Sequence, residues 1–296
     1  MIITNATIQA LRTTFSKLFQ NGLGRAATVT GPFVTEVPST TLVATYGFLG
    51  DFPIFKQWIG QKQAKALQEK VYQLQNDDFE VTLTIHKNKI EDDNLGLYPN
   101  MMEGIGQDAG YLKDRLCLAA LMNGTSALCY DGQNYFDTDH VINGVTFANN
   151  DTTATAEPIY FMDLSKPLKP ILYQNRKAPF FLTNINAEGT NDHLFNTGEY
   201  KFGGEARGAA GYTYWQLAYR STQPLTAATW VAIRTWANSL TTDNGTPLGI
   251  KFTHVVTGAS QLSACKQLFE AQNEAGGASN IYWKEVTVID ASAQLP

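Results

Sequence analysis

The stretch that decides the fold is residues 90–106, IEDDNLGLYPNMMEGIG. It opens on the acidic run 91–94, which is typical of a helix start because the unpaired N–H groups there carry partial positive charge. Apolar residues then recur at steps of three and four: Met102, Ile105, Ala109, Leu112, Leu116 and Ala119. With Asn123-Gly124 as a stop signal, this spacing predicts one long helix over residues 98–122.

Three glycines fall inside that predicted helix, at Gly104, Gly106 and Gly110. Each lowers the stability of a helix by about 1 kcal/mol relative to alanine. We therefore expect either a bend at this place or the close approach of another segment to this face of the helix.

A hairpin is predicted upstream of the helix. Residues 79–86, FEVTLTIH, alternate apolar and polar side chains, and β-branched and aromatic types dominate residues 39–49, so both are predicted strands. The long polar stretch between them is a predicted projecting loop. Within fifteen residues it carries one acid, Glu69, against four bases: Lys56, Lys62, Lys65 and Lys70.

The N-terminus is predicted to be an amphipathic helix over residues 4–20, capped by Thr4 or Asn5. The turn-rich residues 21–32 follow as an extended tether. We expect the helix to be an arm rather than a core element, with its apolar stripe covered by another chain. The hypothesised subunit contacts on this stripe are Ile8, Leu11, Phe15 and Leu18.

The second half of the chain combines strands with a terminal α/β unit. Residues 125–157 are rich in Asn, Asp and Thr and are predicted to be a loop insertion. Strands are predicted at residues 160–173, 180–183, 199–207 and 212–219. After Pro224 the pattern runs helix, strand, helix, strand, which indicates a compact α/β unit and an α+β class for the whole chain.

The composition is that of a globular protein with little surface charge. Hydrophobic residues make up 44% of the 296 residues, which excludes disorder as the dominant state. Only 17% are charged, which fits a surface that is covered by other protein. The net charge of −5 argues against a general nucleic-acid binder, which normally has a basic face.

Cys117, Cys129 and Cys265 are predicted to be buried free thiols, because three sparse cysteines do not make a disulfide framework and none has a metal-like spacing. The first residues lack the basic region and the cleavage site of a signal peptide, and no apolar stretch is long enough to span a membrane. We therefore expect a soluble protein in a reducing cytosol.

The chain shows no catalytic constellation. Residues 203–208 are glycine-rich but precede no helix, and Ser260 lacks the second glycine of a nucleophile elbow. Residues 137–140, DTDH, have metal-ligand types, but a turn closed by Asp side chains explains them better. Asp92 and Asp93 suit a helix start. We predict no catalytic residue, no cofactor and no metal site.

Five blocks of sequence resemble one family of phage proteins, in the same order along nearly the whole chain. They are TYGFLGDFPIFKQWIG (45–60), IEDDNLGLYPNMMEGIG (90–106), CYDGQNYFDTDH (129–140), PIYFMDLSKPLKPILYQNR (158–176) and GGEARGAAGYTYWQLAYRS (203–221). These blocks look like the Mu-like phage major head subunit, the T gene product. The order of arm helix, tether, hairpin, acidic turn and long helix is similar to the tailed-phage capsid fold of Hong Kong 97 type.

This resemblance implies an α+β capsid subunit in four parts. They are an N-terminal arm (residues 1–38), an E-loop hairpin with its strands (39–86), a peripheral domain with the spine helix and the loop insertion (87–223), and an axial domain (224–296). In the usual order of this fold the axial domain precedes the last peripheral strands. Here the α/β unit after Pro224 is expected to come last.

The resemblance implies assembly rather than catalysis. The chain would form hexamers and pentamers that close into an icosahedral head around double-stranded DNA, in the virion, after synthesis in a bacterial cytoplasm. Expected partners are further copies of itself, a scaffold or protease, the portal and a decoration protein, with no membrane and no sequence-specific DNA contact. The alternatives are the shell of a protein nanocompartment that shares the fold, and an α+β enzyme.

Opposite charges in neighbouring segments suggest how subunits meet. Residues 77–93 contain six acids against two lysines, including Asp92 and Asp93. In the resembled fold the excursion that carries Lys56, Lys62, Lys65 and Lys70 lies across the next subunit, where this acidic segment is expected. The alternative is that both segments are ordinary solvated faces.

Overall fold

The computed structural model describes the chain in seven stretches: residues 4–49, 69–92, 97–142, 144–186, 192–242, 245–274 and 276–295. Lys56, Lys62, Lys65 and Asp93 lie outside the described residues. The helices are α1 Asn5–Arg25, α2 Lys87–Asp92, α3 Tyr98–Gly110, α4 Leu112–Asn123, α5 Asp192–Thr197, α6 Ala227–Ser239 and α7 Ala259–Phe269. The strands are β1 Val34–Pro38, β2 Val43–Leu49, β3 Glu69–Gln75, β4 Asp77–His86, β5 His140–Ile142, β6 Val145–Phe147, β7 Asn150–Asp151, β8 Ile159–Met162, β9 Ile171–Thr183, β10 Glu199–Tyr212, β11 Ala218–Ser221, β12 His254–Thr257 and β13 Thr287–Asp290.

The described strands form two main sheets and two separate pairs. One sheet has four strands in the order β1-β9-β10-β4, and the other has five in the order β13-β12-β8-β11-β7. The separate pairs are β2-β3 and β5-β6. Both main sheets mix parallel and antiparallel pairing, since β1 lies parallel to β9 and β12 lies parallel to β13. The predicted α+β class is confirmed.

The buried side chains fall into two hydrophobic clusters. The larger one fills the space around the five-stranded sheet, α4, α6, α7 and the insertion after α4, and it includes Trp215 and Trp230. The smaller one lies where α1 and α3 cover the four-stranded sheet. Among the described residues, no helix combines the length and the apolar character that crossing a membrane requires.

The predicted long helix is two helices that meet at Tyr111. The Tyr111 N–H donates to the carbonyl of Gln107 at 3.2 Å, and the Tyr111 carbonyl accepts the N–H of Arg115 at 3.0 Å. The hydrogen bonds between residues four positions apart therefore continue across Tyr111. The prediction of one uninterrupted helix is wrong, and the interruption directly follows Gly110, one of the three glycines that suggested a bend.

The acidic run does not start this helix. Asp92 is the last residue of α2 and is exposed, whereas α3 begins at Tyr98 with a proline, Pro99, in its first turn and no acid there. Proline suits this position because the first N–H groups of a helix have no partner inside it. The predicted helix-start role of the acids is therefore wrong for α3.

The predicted hairpin exists with a different second strand. β2 pairs with β3, in register from Val43↔Gln75 to Leu49↔Glu69, whereas the sequence predicts that residues 69–75 belong to the loop. β4 alternates as predicted but pairs with β10 over ten residues. Asn76 separates β3 from β4: its buried side-chain amide donates to the carbonyl of Thr41 at 2.9 Å and holds the turn against the start of β2.

The terminal α/β unit is larger than predicted. Its sheet takes only β12 and β13 from beyond residue 224, while β7, β8 and β11 come from the preceding stretch. A boundary at residue 224 would divide one sheet, so the predicted limits of the axial unit are wrong. The strand predicted at 212–219 is also wrong at its centre, where Trp215–Leu217 form a 3-10 helix. A short apolar run signals burial without specifying the backbone conformation.

The insertion after α4 is more ordered than a loop. It holds β5 and β6 and contributes Tyr130, Tyr135 and Phe136 to the larger cluster. Asp137 closes a turn as predicted, because its carboxylate accepts the N–H groups of Asn134 at 3.2 Å and of Thr138 at 2.8 Å. This insertion therefore belongs to the core of the subunit.

Candidate assembly surfaces

The N-terminal helix α1 is part of the folded subunit. Ile8 and Phe15 are 2% and 0% exposed, and the rings of Phe15 and Phe202 meet edge to face with 4.8 Å between centroids. The expectation that the stripe has no partner within its own chain is wrong for Ile8 and Phe15. Leu11 and Leu18 are partly buried beside the same cluster, and their contact with another subunit stays a prediction.

Two glycines let α1 and α3 touch backbone to backbone. A Cβ atom at Gly106 would overlap the carbonyl of Phe19, and one at Gly22 would overlap the carbonyl of Glu103. Arg25 adds an ion pair at the end of α1, with its Nη1 atom 2.7 Å from Oε1 of Glu103. The glycines of α3 predicted a close approach, and the approaching segment is the N-terminal helix of the same chain.

The tether after α1 is also held within the subunit. Asp114 on α4 is 0% exposed, and its carboxylate accepts the backbone N–H of Val29 at 2.7 Å and of Thr30 at 3.3 Å. The Thr30 hydroxyl donates to the same carboxylate. A buried carboxylate needs such donors to offset the loss of water. Residues 29–30 are therefore fixed to α4 rather than free to swing.

The base of the β2–β3 hairpin is fixed to the four-stranded sheet by two tyrosines. The Tyr46 hydroxyl donates to Oε1 of the buried Gln174 at 2.7 Å, and the Gln174 amide donates to the carbonyl of Leu74 at 3.4 Å. The Tyr72 hydroxyl accepts the backbone N–H of Tyr212 at 3.4 Å. Burial raises the pKa of Tyr72 to about 12, so it stays neutral at physiological pH.

The other face of this hairpin is open. Val43 and Val71 are 39% and 54% exposed, although both are apolar and lie in paired strands. Thr45, Gln73 and Gln75 are exposed on the same face, which therefore mixes apolar and polar side chains. A two-stranded pair alone is marginally stable, so a face with exposed valines is suited to further packing. Lys70 lies in β3, and the other three hypothesised lysines belong to residues 50–68, outside the described stretches.

The predicted acidic patch is divided by β4. Asp77 and Asp78 lie at the start of this ten-residue strand and Asp92 lies on α2 beyond its end, a separation of about 30 Å along the strand. Asp78 is already paired with Arg207 of β10. The single patch proposed from the sequence is therefore wrong. A contact of Asp92 with another subunit stays a prediction.

Cys129, Asp131 and His140 form a buried cluster within the insertion. Nδ1 of His140 lies 2.8 Å from Oδ2 of Asp131, and the Cys129 thiol donates to Oδ1 of Asp131 at 2.9 Å. The His140 ring stacks on Trp215 with 4.1 Å between centroids. Burial raises the pKa of Asp131, but the hydrogen bonds from His140 and Cys129 outweigh burial and hold it at about 2.

The sequence pointed to a different set of possible ligands here. Within CYDGQNYFDTDH, the possible ligands in the sequence are the neighbouring residues 137–140, DTDH. The fold instead brings His140 close to Cys129 and Asp131. The usable signal is the alternation Cys-x-Asp, which places both side chains on one side of an extended turn. A carboxylate, an imidazole and a thiol thus lie within 4.8 Å of one another.

Sequence reasoning also missed several exposed apolar side chains. Phe195 on α5 and Ile281 in the turn before β13 are 91% and 78% exposed. Next to Ile281, Lys284 has a positive φ of 59°, and its Nζ atom lies 4.5 Å from the ring centroid of Trp283. Isolated apolar residues between turn signals have no periodicity, so no sequence pattern separates them from buried ones.

Comparison with known proteins places this subunit among phage head proteins. The family profile described as "Mu-like prophage major head subunit gpT" matches residues 8–293. The major capsid protein of Escherichia phage Mu is 33% identical over 295 residues, with 95% of each chain covered. The Mu-like prophage FluMu major head subunit of Haemophilus influenzae is 34% identical over 283 residues, with 91% of each chain covered.

Solved structures agree over the whole length. A chain of the procapsid of bacteriophage JBD30 matches with a TM-score of 0.83 and 36% identity, covering 98% of this chain and 99% of that one. A chain of the JBD30 capsid decorated with minor capsid protein trimers matches with a TM-score of 0.79 and 30% identity, covering both chains completely. The predicted capsid fold is confirmed at this level.

Agreement of sequence and fold over the full length defines the class, a structural subunit of a phage head. The chain belongs to the family of Mu-like prophage major head subunits, gpT. Its function is that of a major capsid protein, which assembles with further copies of itself into the icosahedral shell of the virion. The predicted family and function are confirmed, and the nanocompartment and enzyme alternatives are excluded.

Proposed function

We propose that the chain builds the head from hexamers and pentamers around double-stranded DNA, and that the β2–β3 hairpin makes the contact that joins neighbouring subunits. The observation that carries this proposal is the fixed hairpin base. Tyr46 and Tyr72 tie it to β9 and β10, while Val43 and Val71 are exposed on its outer face. The basic segment between the two strands thus starts and ends at defined points on the subunit.

Each of the two proposed bodies of the subunit contains one of the main sheets. The four-stranded sheet with α1, α3 and α4 supplies the peripheral body, and the five-stranded sheet with α6 and α7 supplies the axial body. Residues 1–38 and 39–86 supply the arm and the E-loop hairpin. We include β7, β8 and β11 in the axial body, although they precede residue 224, because they share a sheet with β12 and β13.

Charge is the second element of the proposed contact. Lys56, Lys62, Lys65 and Lys70 would meet the acidic side chains Asp92 and Asp93 of a neighbouring copy. Asp92 is exposed on α2, as this contact requires. Each exposed pair contributes about 0.2–1 kcal/mol and is screened over a Debye length of about 8 Å at physiological salt. One pair therefore contributes little, but the same contact is repeated in every subunit of the shell.

The remaining partners follow from the capsid role. We include a scaffold or protease, the portal and a decoration protein, the last because the similar JBD30 capsid is decorated with minor capsid protein trimers. The net charge of −5 suits an inner wall that does not hold DNA, because each phosphate contact would add sequence-independent affinity.

Electron microscopy of purified particles tests the proposal. We expect closed shells with fivefold and sixfold capsomers. The double variant Lys62→Glu, Lys65→Glu should lower the assembly yield at low salt, with a smaller difference from wild type at high salt. The double variant Lys17→Glu, Lys266→Glu is the matched control, because it changes the net charge equally at exposed positions outside the hairpin.

A further substitution pair identifies the partner surface. Asp92→Lys with Asp93→Lys should restore assembly of the hairpin variant if these acids receive the lysines. A wild-type yield for the hairpin variant at every salt concentration would show that the lysines are bystanders. Discrete small oligomers of the wild-type chain under assembly conditions would contradict the hexamer and pentamer arrangement.

A further inference from the structure

We propose that Cys129, Asp131 and His140 form a zinc site inside the insertion that follows α4. The three side chains offer one sulfur, one carboxylate oxygen and one imidazole nitrogen, all within 4.8 Å of one another. Cys129 and His140 are buried, and Asp131 lies between them. This inference does not depend on how the subunits are arranged in the shell.

Side-chain movements of up to roughly 1.2 Å are needed to admit the ion. Zinc bonds of about 2.0–2.3 Å in a tetrahedral arrangement place the ligand atoms roughly 3.3–3.6 Å apart. The present contacts are 2.8 Å between His140 and Asp131 and 2.9 Å between Cys129 and Asp131. These contacts reach different oxygens of Asp131, Oδ2 and Oδ1, and each pair has to separate by roughly 0.6 Å. The Cys129 sulfur and the His140 nitrogen, which lie within 4.8 Å of each other, have to take up the same spacing of roughly 3.6 Å.

The donor types select the metal. Calcium and magnesium take oxygen ligands, so a thiol and an imidazole disfavour them, whereas this mixed set is suited to zinc. Asp131 is already ionised at neutral pH. On binding, the Cys129 thiol loses its proton to solvent and its sulfur bonds to zinc. The His140 proton moves from Nδ1 to Nε2, and Nδ1 becomes the ligand. One proton is thus released for each zinc bound, with no oxidation or reduction.

The surroundings of His140 predict a moderate affinity. Trp215 fixes the plane of the ring by stacking, but Nε2 is buried with no hydrogen-bond partner in the described part of the chain. Loss of such a partner typically weakens metal binding by roughly 10–100-fold. Three protein ligands also leave a fourth position for water or a main-chain oxygen. We therefore expect stoichiometric binding that a strong chelator reverses.

Such an ion would brace the insertion. His140 begins β5, and Cys129 and Asp131 lie in the turn that packs Tyr130 against the core. Zinc would connect these two parts in place of the hydrogen bonds through Asp131. Because metal binding to the folded state adds to its stability, zinc should raise the Tm of the subunit.

The test is zinc analysis of the full-length protein after incubation with excess zinc and removal of unbound metal. We expect about one zinc per chain, a Tm raised by several degrees, reversal of both by EDTA, and release of one proton per zinc. Cobalt in place of zinc should give the near-ultraviolet absorption of a thiolate ligand. Cys129→Ser and His140→Gln should abolish binding, while Cys265→Ser, a buried thiol elsewhere, should keep it.

Two results would overturn the inference. One is a wild-type protein that retains no stoichiometric zinc and shows no change in Tm, which would leave a hydrogen-bonded cluster only. The other is equal zinc retention by wild type and Cys129→Ser, which would place the metal elsewhere. The wild-type measurement decides the matter even if a variant fails to fold. Shells that assemble without zinc would leave the proposed assembly untouched.

Discussion

The N-terminal helix and the β2–β3 hairpin both resemble projecting elements in the sequence, but the helix packs against its own subunit. α1 buries Ile8 and Phe15 in its own subunit and meets α3 through Gly22 and Gly106. The hairpin forms a sheet of its own and keeps two valines, Val43 and Val71, exposed on its outer face. An apolar stripe indicates that a face will be covered, but it does not indicate which chain covers it.

The prediction with the largest expected effect compares a deletion in each of these two regions. Removal of residues 1–30 takes away Phe15 and Phe19, each of which is worth about 3–5 kcal/mol when buried, against a typical total stability of 5–15 kcal/mol. We expect this truncated chain to lose its cooperative thermal transition, measured by circular dichroism. This reverses the expectation drawn from the sequence that residues 1–30 serve assembly and not folding.

The matched control shortens the other region. Replacement of residues 50–68 by a short Gly/Ser linker keeps every residue named above in the two hydrophobic clusters, because all of them lie in the described stretches outside this segment. We expect this variant to keep a thermal transition and to lose shell formation. A truncated chain that melts like wild type would restore the view of α1 as a free arm.

The second prediction tests the contact between α1 and α3 with two glycines of one helix. Gly106→Ala puts a methyl group onto the carbonyl of Phe19 and should lower the free energy of unfolding by about 1–3 kcal/mol. Gly104→Ala meets open space and should raise it by up to about 1 kcal/mol. Urea unfolding of the two variants measures both. Equal effects would show that the helices do not touch there.

The third prediction concerns the tether. Asp114→Asn removes a buried carboxylate that accepts hydrogen bonds from Val29 and Thr30, and should lower the free energy of unfolding by about 1–3 kcal/mol. Asp108→Asn is the control, because Asp108 is an exposed partner of Arg115 and such pairs contribute about 0–1 kcal/mol. If both variants unfold at the same urea concentration, the tether is not held by Asp114.

Local patterns in the sequence predicted those elements whose burial is regular. The alternation of residues 79–86 gave β4, and Thr226 with Trp230 and Ile233 gave α6 with its cap and buried face. β3 was missed because Glu69 and Lys70 begin it and its inner face is only partly buried. The 3-10 helix at Trp215 was missed because its neighbours are buried on every side.

The limits of the sequence are clearest at the candidate sites. Whether α1 packs on its own subunit depends on contacts between residues more than eighty positions apart, such as Phe19 with Gly106. Pairing of β4 with β10 likewise joins distant segments, and β4 separates the acids at the two ends of residues 77–93. Cys129, Asp131 and His140 come together through turns that carry no periodic signal. These arrangements depend on tertiary packing, which local sequence patterns do not predict.

The fourth prediction weakens the hairpin base without unfolding the subunit. Tyr46→Phe removes the hydrogen bond to Gln174 and should lower the free energy of unfolding by about 0.5–1.5 kcal/mol. If the base positions the hairpin for its neighbour, assembly yield should fall more than this loss of stability alone explains. Tyr135→Phe, which likewise removes one buried hydrogen bond, from Tyr135 to the carbonyl of Pro170 outside the hairpin, is the matched control. Equal yields for the two variants would remove the positioning role.

The smallest expected effect is that of a reductant on assembled shells, and it asks whether the hairpin contact is covalent. Cys117, Cys129 and Cys265 are buried and form no disulfide, and burial raises the pKa of Cys265 to about 11 and that of Cys117 further. Such thiols react slowly because the thiolate is the reactive form.

No feature of the sequence marks Lys56, Lys62, Lys65 or Lys70 as a cross-linking residue. Denaturing gels of intact particles, run without reductant, should therefore show a single band near 32.6 kDa. A ladder of multiples that reductant removes would reveal disulfides, and one that persists would reveal isopeptide bonds through the hairpin lysines.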